Sequence, residues 1–194
     1  MSKIEKIIGW NCFFSDCKFY RWSLEIEISL ERKEIIFIGL NPSISNEYLL
    51  DNTTKKIINI CEKYNYGKIK LINLFGLISP SPKQLKTHMD PIGFLNNKVI
   101  ENNINYWSKS INCDLWIGWG NKGKLFNRDI QVYKIIKKYI SIKEKKFSKN
   151  TYPLLINKTK YNNPMHPLYC PNNSKLVKYN FCLLYTSDAA DEWR

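Results

Sequence analysis

The chain of 194 residues is 44% hydrophobic and 14% aromatic, enough apolar material for one domain with a proper core and too much for a disordered segment. No stretch approaches the roughly 20 apolar residues of a membrane helix, and the opening MSKIEKIIGW lacks the apolar centre of a secretion signal, so a cytoplasmic protein with no membrane partner is expected. The formal charge of +13 is almost all lysine, because arginine stands only at 21, 32, 128 and 194; it suits a polyanionic partner, and A/T-rich codon usage explains it equally well.

In chain order, residues 20–30 (YRWSLEIEISL) alternate apolar and polar, as a half-buried strand does. Residues 35–40 (IIFIGL) form a continuous apolar run, the pattern of a strand covered on both faces. Asp51 or Thr53 caps an expected helix that runs to about Tyr64 and ends by Gly67. KIKLINLF (68–75) reads as the next buried strand, ISPSP (78–82) as a loop, and 93–107 as a helix. CDLWIGWG (113–120) is a third buried strand, a helix covers part of 122–140, and a lysine-rich segment fills 137–149. TYPLLI (151–156) is a short strand and MHPLYCP (165–171) a loop.

Strands alternating with helices imply a three-layer α/β/α sandwich around a mostly parallel sheet, folded as a single domain over residues 1–181 and expected to be a monomer. The end, CLLYTSDAADEWR (182–194), breaks from the upstream composition and reads as translated sequencing adapter; it is excluded from the expected fold. Without its three acids and one arginine the remaining charge is +15. The six cysteines form no C-x-x-C pair and only two histidines accompany them, so free thiols, no metal and no cofactor are expected.

Four motifs carry chemistry-bearing side chains to the ends of these elements. GLNPS (39–43) places Asn41, Pro42 and Ser43 beyond the strand IIFIGL, and the proline holds Asn41 extended. LINLF (71–75) places Asn73 and Phe75, LWIGWGNKG (115–123) places Trp119 and Asn121, and HPLY (166–169) supplies His166, Leu168 and Tyr169. In parallel sheets, ligands bind beyond the carboxyl ends of the strands, where three of the four motifs fall. A further polar group, Asp51, Thr53, Thr54 and Lys55, is either a helix start with an exposed lysine or part of a second, phosphate-facing cluster with Arg21.

Together, Cys17–Tyr20–Arg21, LNPS, DNTTKK, NLF, MDPIG, GWGNKG and HPLY resemble the family catalogued as domain of unknown function 1643, which implies no activity. More distantly, GLNPS, LINLF, LWIGWG and HPLY are similar in order to the motifs of the uracil-DNA glycosylase superfamily. That resemblance implies an α/β/α fold and a pocket for a base flipped out of DNA. It assigns Asn41 to orienting a water and His166 to donating a hydrogen bond to the departing base. Asn73 would read the base edge, Phe75 or Tyr48 would stack on it, and Leu168 or Tyr169 would fill the gap left in the helix. Two departures stand out. Asn41 replaces the aspartate of the efficient uracil-cleaving enzymes, and Leu168 replaces the serine after the His-Pro pair.

The leading expectation is N-glycosidic bond hydrolysis on DNA. The alternatives are a nucleic-acid- or nucleotide-binding protein that keeps the pocket without the chemistry, and a small-molecule nucleotide enzyme using Asp51 and Lys55. Tyr20 and Arg21 are expected to support the fold, with Arg21 either paired to a carboxylate or facing a phosphate, and His88 to lie on the surface.

Overall fold

The computed structural model describes residues 7–43, 50–81, 83–148 and 151–180. Tyr48 and the segment 182–194 lie outside the described residues. Strands β1 (Gly9–Phe14), β2 (Arg21–Glu27), β3 (Glu34–Gly39), β4 (Lys68–Asn73), β5 (Cys113–Ile117), β6 (Leu154–Leu155) and β7 (Val177–Lys178) form one sheet in the order β1-β2-β4-β3-β5-β6-β7. The centre, β4-β3-β5-β6, is parallel throughout, while β1, β2 and β7 attach by antiparallel pairing. Helices α1 (Asn52–Lys63), α2 (Gln84–Thr87), α3 (Asn96–Lys109) and α4 (Arg128–Lys146) complete the elements, with 3-10 turns at Asn121–Asn127 and Pro167–Tyr169.

The apolar runs of the central strands are continuous because both faces of the sheet are covered. Ile36, Ile38, Ile72, Leu115 and Ile117 pack with Ile100, Ile104 and Trp107 of α3 and Val132, Ile136 and Ile140 of α4. On the opposite face, Ile35, Phe37, Leu71 and Trp116 pack with Ile57, Ile60 and Cys61 of α1. Side chains alternate across a strand, so successive residues of one run feed two separate cores. The result is the three-layer α/β/α sandwich with a mostly parallel central sheet.

Three details differ from the sequence reading. The α1 helix ends at Lys63, and Asn65, at φ 56°, makes the left-handed turn expected of Gly67. The lysine-rich stretch after 137 continues α4 to Lys146 because buried Tyr139, Ile140 and Lys143 keep one face on the core. Lys143 is fully buried, and its Nζ donates to the carbonyls of Trp107, Ser110 and Cys113 at 2.7, 2.7 and 3.3 Å, closing the C-terminal end of α3. The edge strands β1 and β7 have too little apolar pattern to announce themselves, since one carries alternating half-exposed residues and the other is two residues long.

Candidate functional site

The connections around β3 decide where a ligand can enter. From β3 the chain crosses by α1 over one face to β4, then by α3 over the other face to β5 on the far side of β3. Helices leaving a strand in opposite directions leave a crevice at its carboxyl end, the topological switch point of open α/β sheets. A cleft of about 480 Å³ lies there, within the range of small-ligand sites.

Asn41 enters the cleft from the exit of β3. Its Nδ2 donates to the carbonyls of Pro42 at 3.0 Å and Ser79 at 2.9 Å, so both amide hydrogens are held by backbone. No described residue donates to its Oδ1, which is left as an acceptor at the cleft. This pattern explains asparagine in physical terms, because a carboxylate oxygen in place of Nδ2 would face two carbonyl oxygens with no hydrogen between them. The exit loops are laced together as well. The amide of Ser79 donates to Pro42 O at 3.0 Å, and those of Leu74 and Phe75 donate to Gly39 and Leu40.

Asn73 ends β4 beside this exit and is 8% exposed, yet its side-chain amide has no partner among the described residues and lines the cleft. Its backbone is fixed from behind. Asn96 Nδ2 donates to the carbonyls of Asn73 and Leu74, and the Arg128 guanidinium donates twice to Leu74 O. A buried amide free at both ends is a recognition group waiting for a complementary edge.

His166 arrives on a loop that packs on α1, held by Lys56 Nζ on Cys170 O and Lys63 Nζ on Asn172 O. The site tolerates this loop because Gly118 has no side chain; a Cβ there would meet the Phe37 ring at 2.8 Å and Pro167 at 3.3 Å. Gly120, at φ 72°, makes the next turn, and its amide donates to Pro164 O. His166 Nδ1 accepts from Leu168 N at 3.4 Å, so the neutral ring carries its proton on Nε2. Burial lowers the imidazole below its ordinary value of 6.5, against a smaller upward pull from Asp51, so the neutral form prevails at pH 7.

Asp51 caps α1. It accepts from Thr54 N at 2.6 Å and from the Ser43 hydroxyl. Burial pushes its carboxyl upward, but these bonds and the nearby Arg21 charge outweigh it and hold the group below its ordinary value of 3.8. Arg21 is 4% exposed and lines the same cleft.

Of the side chains singled out in the sequence, the cleft brings together Asn41, Ser43, Asn73, Trp119, Asn121, His166, Leu168 and Tyr169 with Arg21, Asp51, Thr53 and Thr54. Three stand elsewhere. Phe75 is fully buried in the α3/α4 core with its edge toward Phe126, Pro42 is buried behind the cleft wall, and Lys55 is exposed on the outside of α1. The aromatic wall comes instead from Phe37, one residue pair upstream on the α1 face, and from Trp119. Phe37 looked like core because it is core as well, 3% exposed and 4.8 Å from Trp116. Lys122 and Thr159 were also missed. Lys122 lay inside the GWGNKG motif, whereas Thr159 had no local signal and reaches the cleft through its hydroxyl, 2.6 Å from Asn121 Oδ1. His88 is exposed, with Nδ1 accepting from Asp90 N, and Tyr20 donates to Asp90 O.

Fold and cleft together define an α/β/α protein with a cleft at the switch point of its sheet, lined by aromatic rings, three amides (Asn41, Asn73 and Asn121), one imidazole and one hydrogen-bonded carboxylate. The family model described as "Protein of unknown function (DUF1643)" matches residues 21–168, and the chain belongs to that family. Among curated proteins and among solved structures, none matches this chain. No helix among the described residues is long and apolar enough to cross a membrane.

Proposed function

We propose that the protein binds a nucleobase flipped from DNA and hydrolyses its N-glycosidic bond. The observation that carries this reading is Asn73: a nine-tenths-buried amide with no partner among the described residues, set in an aromatic-walled cleft beside an acceptor oxygen (Asn41 Oδ1) and a donor imidazole (His166). A pairing edge presents donors and acceptors side by side, and an amide matches it with both. Phe37 and Trp119 offer faces or edges to a planar ring, while Tyr169, 80% exposed, and Leu168, 44% exposed, stand at the mouth where a displaced base leaves a gap. The surplus of lysine suits the phosphate backbone.

In this reading, Asn41 Oδ1 accepts a hydrogen bond from the attacking water and orients it. Its amide is not a base, so water gives up its proton, to solvent or to the departing base anion, only once the bond to the sugar carbon is forming. The C1′–N bond breaks with its electron pair going to the base, and the His166 Nε2–H bond stabilises the negative charge on a base oxygen. The order of the four motifs, similar to that of the uracil-DNA glycosylases, supports the same assignment.

The test is release of the base from single- and double-stranded oligonucleotides carrying uracil and other altered bases, read as strand breaks after alkali. Base release that falls at least about 100-fold in both Asn41→Ala and His166→Ala, with folding intact, is the expected result. Salt-dependent DNA binding without any release would leave a binding protein on the same scaffold, and tight binding of a free nucleotide but not of DNA would point to a small-molecule enzyme.

A further inference from the structure

We infer that Asp51 supplies the negative charge that stabilises the cationic sugar in the reaction, taking the place that Asn41 cannot fill. The inference rests on the N-glycosidic reading above and adds a residue to it. Cleavage of an N-glycosidic bond leaves positive charge shared between the sugar C1′ and its ring oxygen, and a carboxylate is the side chain that opposes such charge most strongly. Among the described residues that line the cleft, Asp51 is the one carboxylate.

The charges around it decide between two ligands. A helix start with an arginine nearby resembles a phosphate site, yet here the α1 amide of Thr54 is already taken by Asp51. A phosphate arriving there would face a carboxylate held firmly in its ionised state. A cation would not. Thr54 N, the Thr54 side chain and the Ser43 hydroxyl all hydrogen-bond to Asp51, and the carboxylate that they hold still lines the cleft. These bonds also anchor the group: Ser43 belongs to the same GLNPS turn that carries Asn41, so the water-orienting amide and the carboxylate are tied together. Asp51 and His166 line the same cleft.

The experiment compares binding of two oligonucleotides of identical sequence. One carries a neutral tetrahydrofuran abasic site, the other a pyrrolidine analogue whose protonated ring nitrogen mimics the cationic sugar. The wild-type protein is expected to prefer the pyrrolidine by about tenfold or more. Asp51→Asn and Asp51→Ser keep residues that cap helices well. Both are expected to abolish the preference while leaving tetrahydrofuran binding close to wild type and the protein folded with a modestly lower melting temperature, and to slow base release at least about 100-fold. A preference that survives both substitutions, or none in the wild type, overturns the inference. Wild-type base release with no cation preference would sink Asp51 alone and leave the glycosylase reading standing. An Asp51-dependent preference with no base release would keep the charge site and sink the hydrolysis.

Discussion

Replacing Gly39 by alanine perturbs the candidate site without altering any residue that contacts the ligand in the proposed scheme. Gly39 is the last residue of β3, paired with Asn73 of β4. A Cβ there would lie 2.7 Å from Asn73 Oδ1 and 3.0 Å from a Phe37 ring carbon. An ordinary contact begins near 3.4 Å, so the Asn73 oxygen must retreat by about 0.7 Å and the ring by about 0.4 Å. Overpacking of this size costs about 1–2 kcal/mol, a fall of roughly 2–8 °C in melting temperature for a domain of this length. The amide edge is displaced by a similar distance, and loss of one buried hydrogen-bonded recognition pair costs about 1–3 kcal/mol, roughly tenfold or more in binding. The assay is affinity for an oligonucleotide bearing the preferred base, measured beside thermal unfolding, for Gly39→Ala, Asn73→Ala and the double variant. Because the closer collision is with the Asn73 side chain itself and only the milder one with the Phe37 ring remains without it, the losses in the double variant should be clearly less than additive. Additive losses, or a Gly39→Ala protein with wild-type binding, would show that the geometry of this strand exit is not what sets recognition.

Lys143→Met tests the fold away from the cleft. It removes the ammonium that bonds the carbonyls of Trp107 and Ser110 at the end of α3 and of Cys113 at the start of β5, offset in part by no longer burying that charge, for a net loss of about 2–3 kcal/mol in urea unfolding; an unchanged midpoint would refute the capping role. The pH dependence of stability should show His166. Its folded value lies below 6.5, so as pH falls the unfolded chain takes the proton first, and stability drops from about pH 6.5 down to the folded value, then levels. In His166→Asn this component should vanish between pH 7 and pH 5, whereas the Asp51 contribution is lost only below its ordinary 3.8 and stays out of that window. Equal slopes for wild type and variant would contradict the burial of the ring.

How far the sequence reached depended on the range of the forces involved. Strands β2 to β5 and helices α1 and α3 were legible because apolar periodicity reports burial along a few turns of chain, and every residue of the run IIFIGL (35–40) is buried. The extension of α4 through its lysines was not legible, since Lys143 reads as solvent-facing until three carbonyls from the end of α3 and the start of β5 are placed around it. The edge strands failed for the opposite reason: pairing with a neighbour, not pattern, makes them strands.

Within the cleft the same division holds. By itself the sequence determined that Asn41 and Asn73 would stand at the carboxyl ends of buried strands, because the apolar runs and the proline after Asn41 are local matters; that the two strands are neighbours came from the fold. It did not determine which face each neighbour would take. Phe75 and Phe37 are both aromatic residues on buried strands, and only the pleat and the opposite placement of α1 and α3 sent Phe75 into the core and Phe37 to the cleft. The meeting of Asp51 with Ser43, Arg21 and His166 was equally a tertiary decision. These residues come from a helix cap, a strand exit, a strand start and a distant loop, and what joins them is a crossover that returns α1 over the sheet and docks the His166 loop upon it. Side-chain chemistry is written residue by residue, but the distances that make it a site are set by packing across the whole sheet.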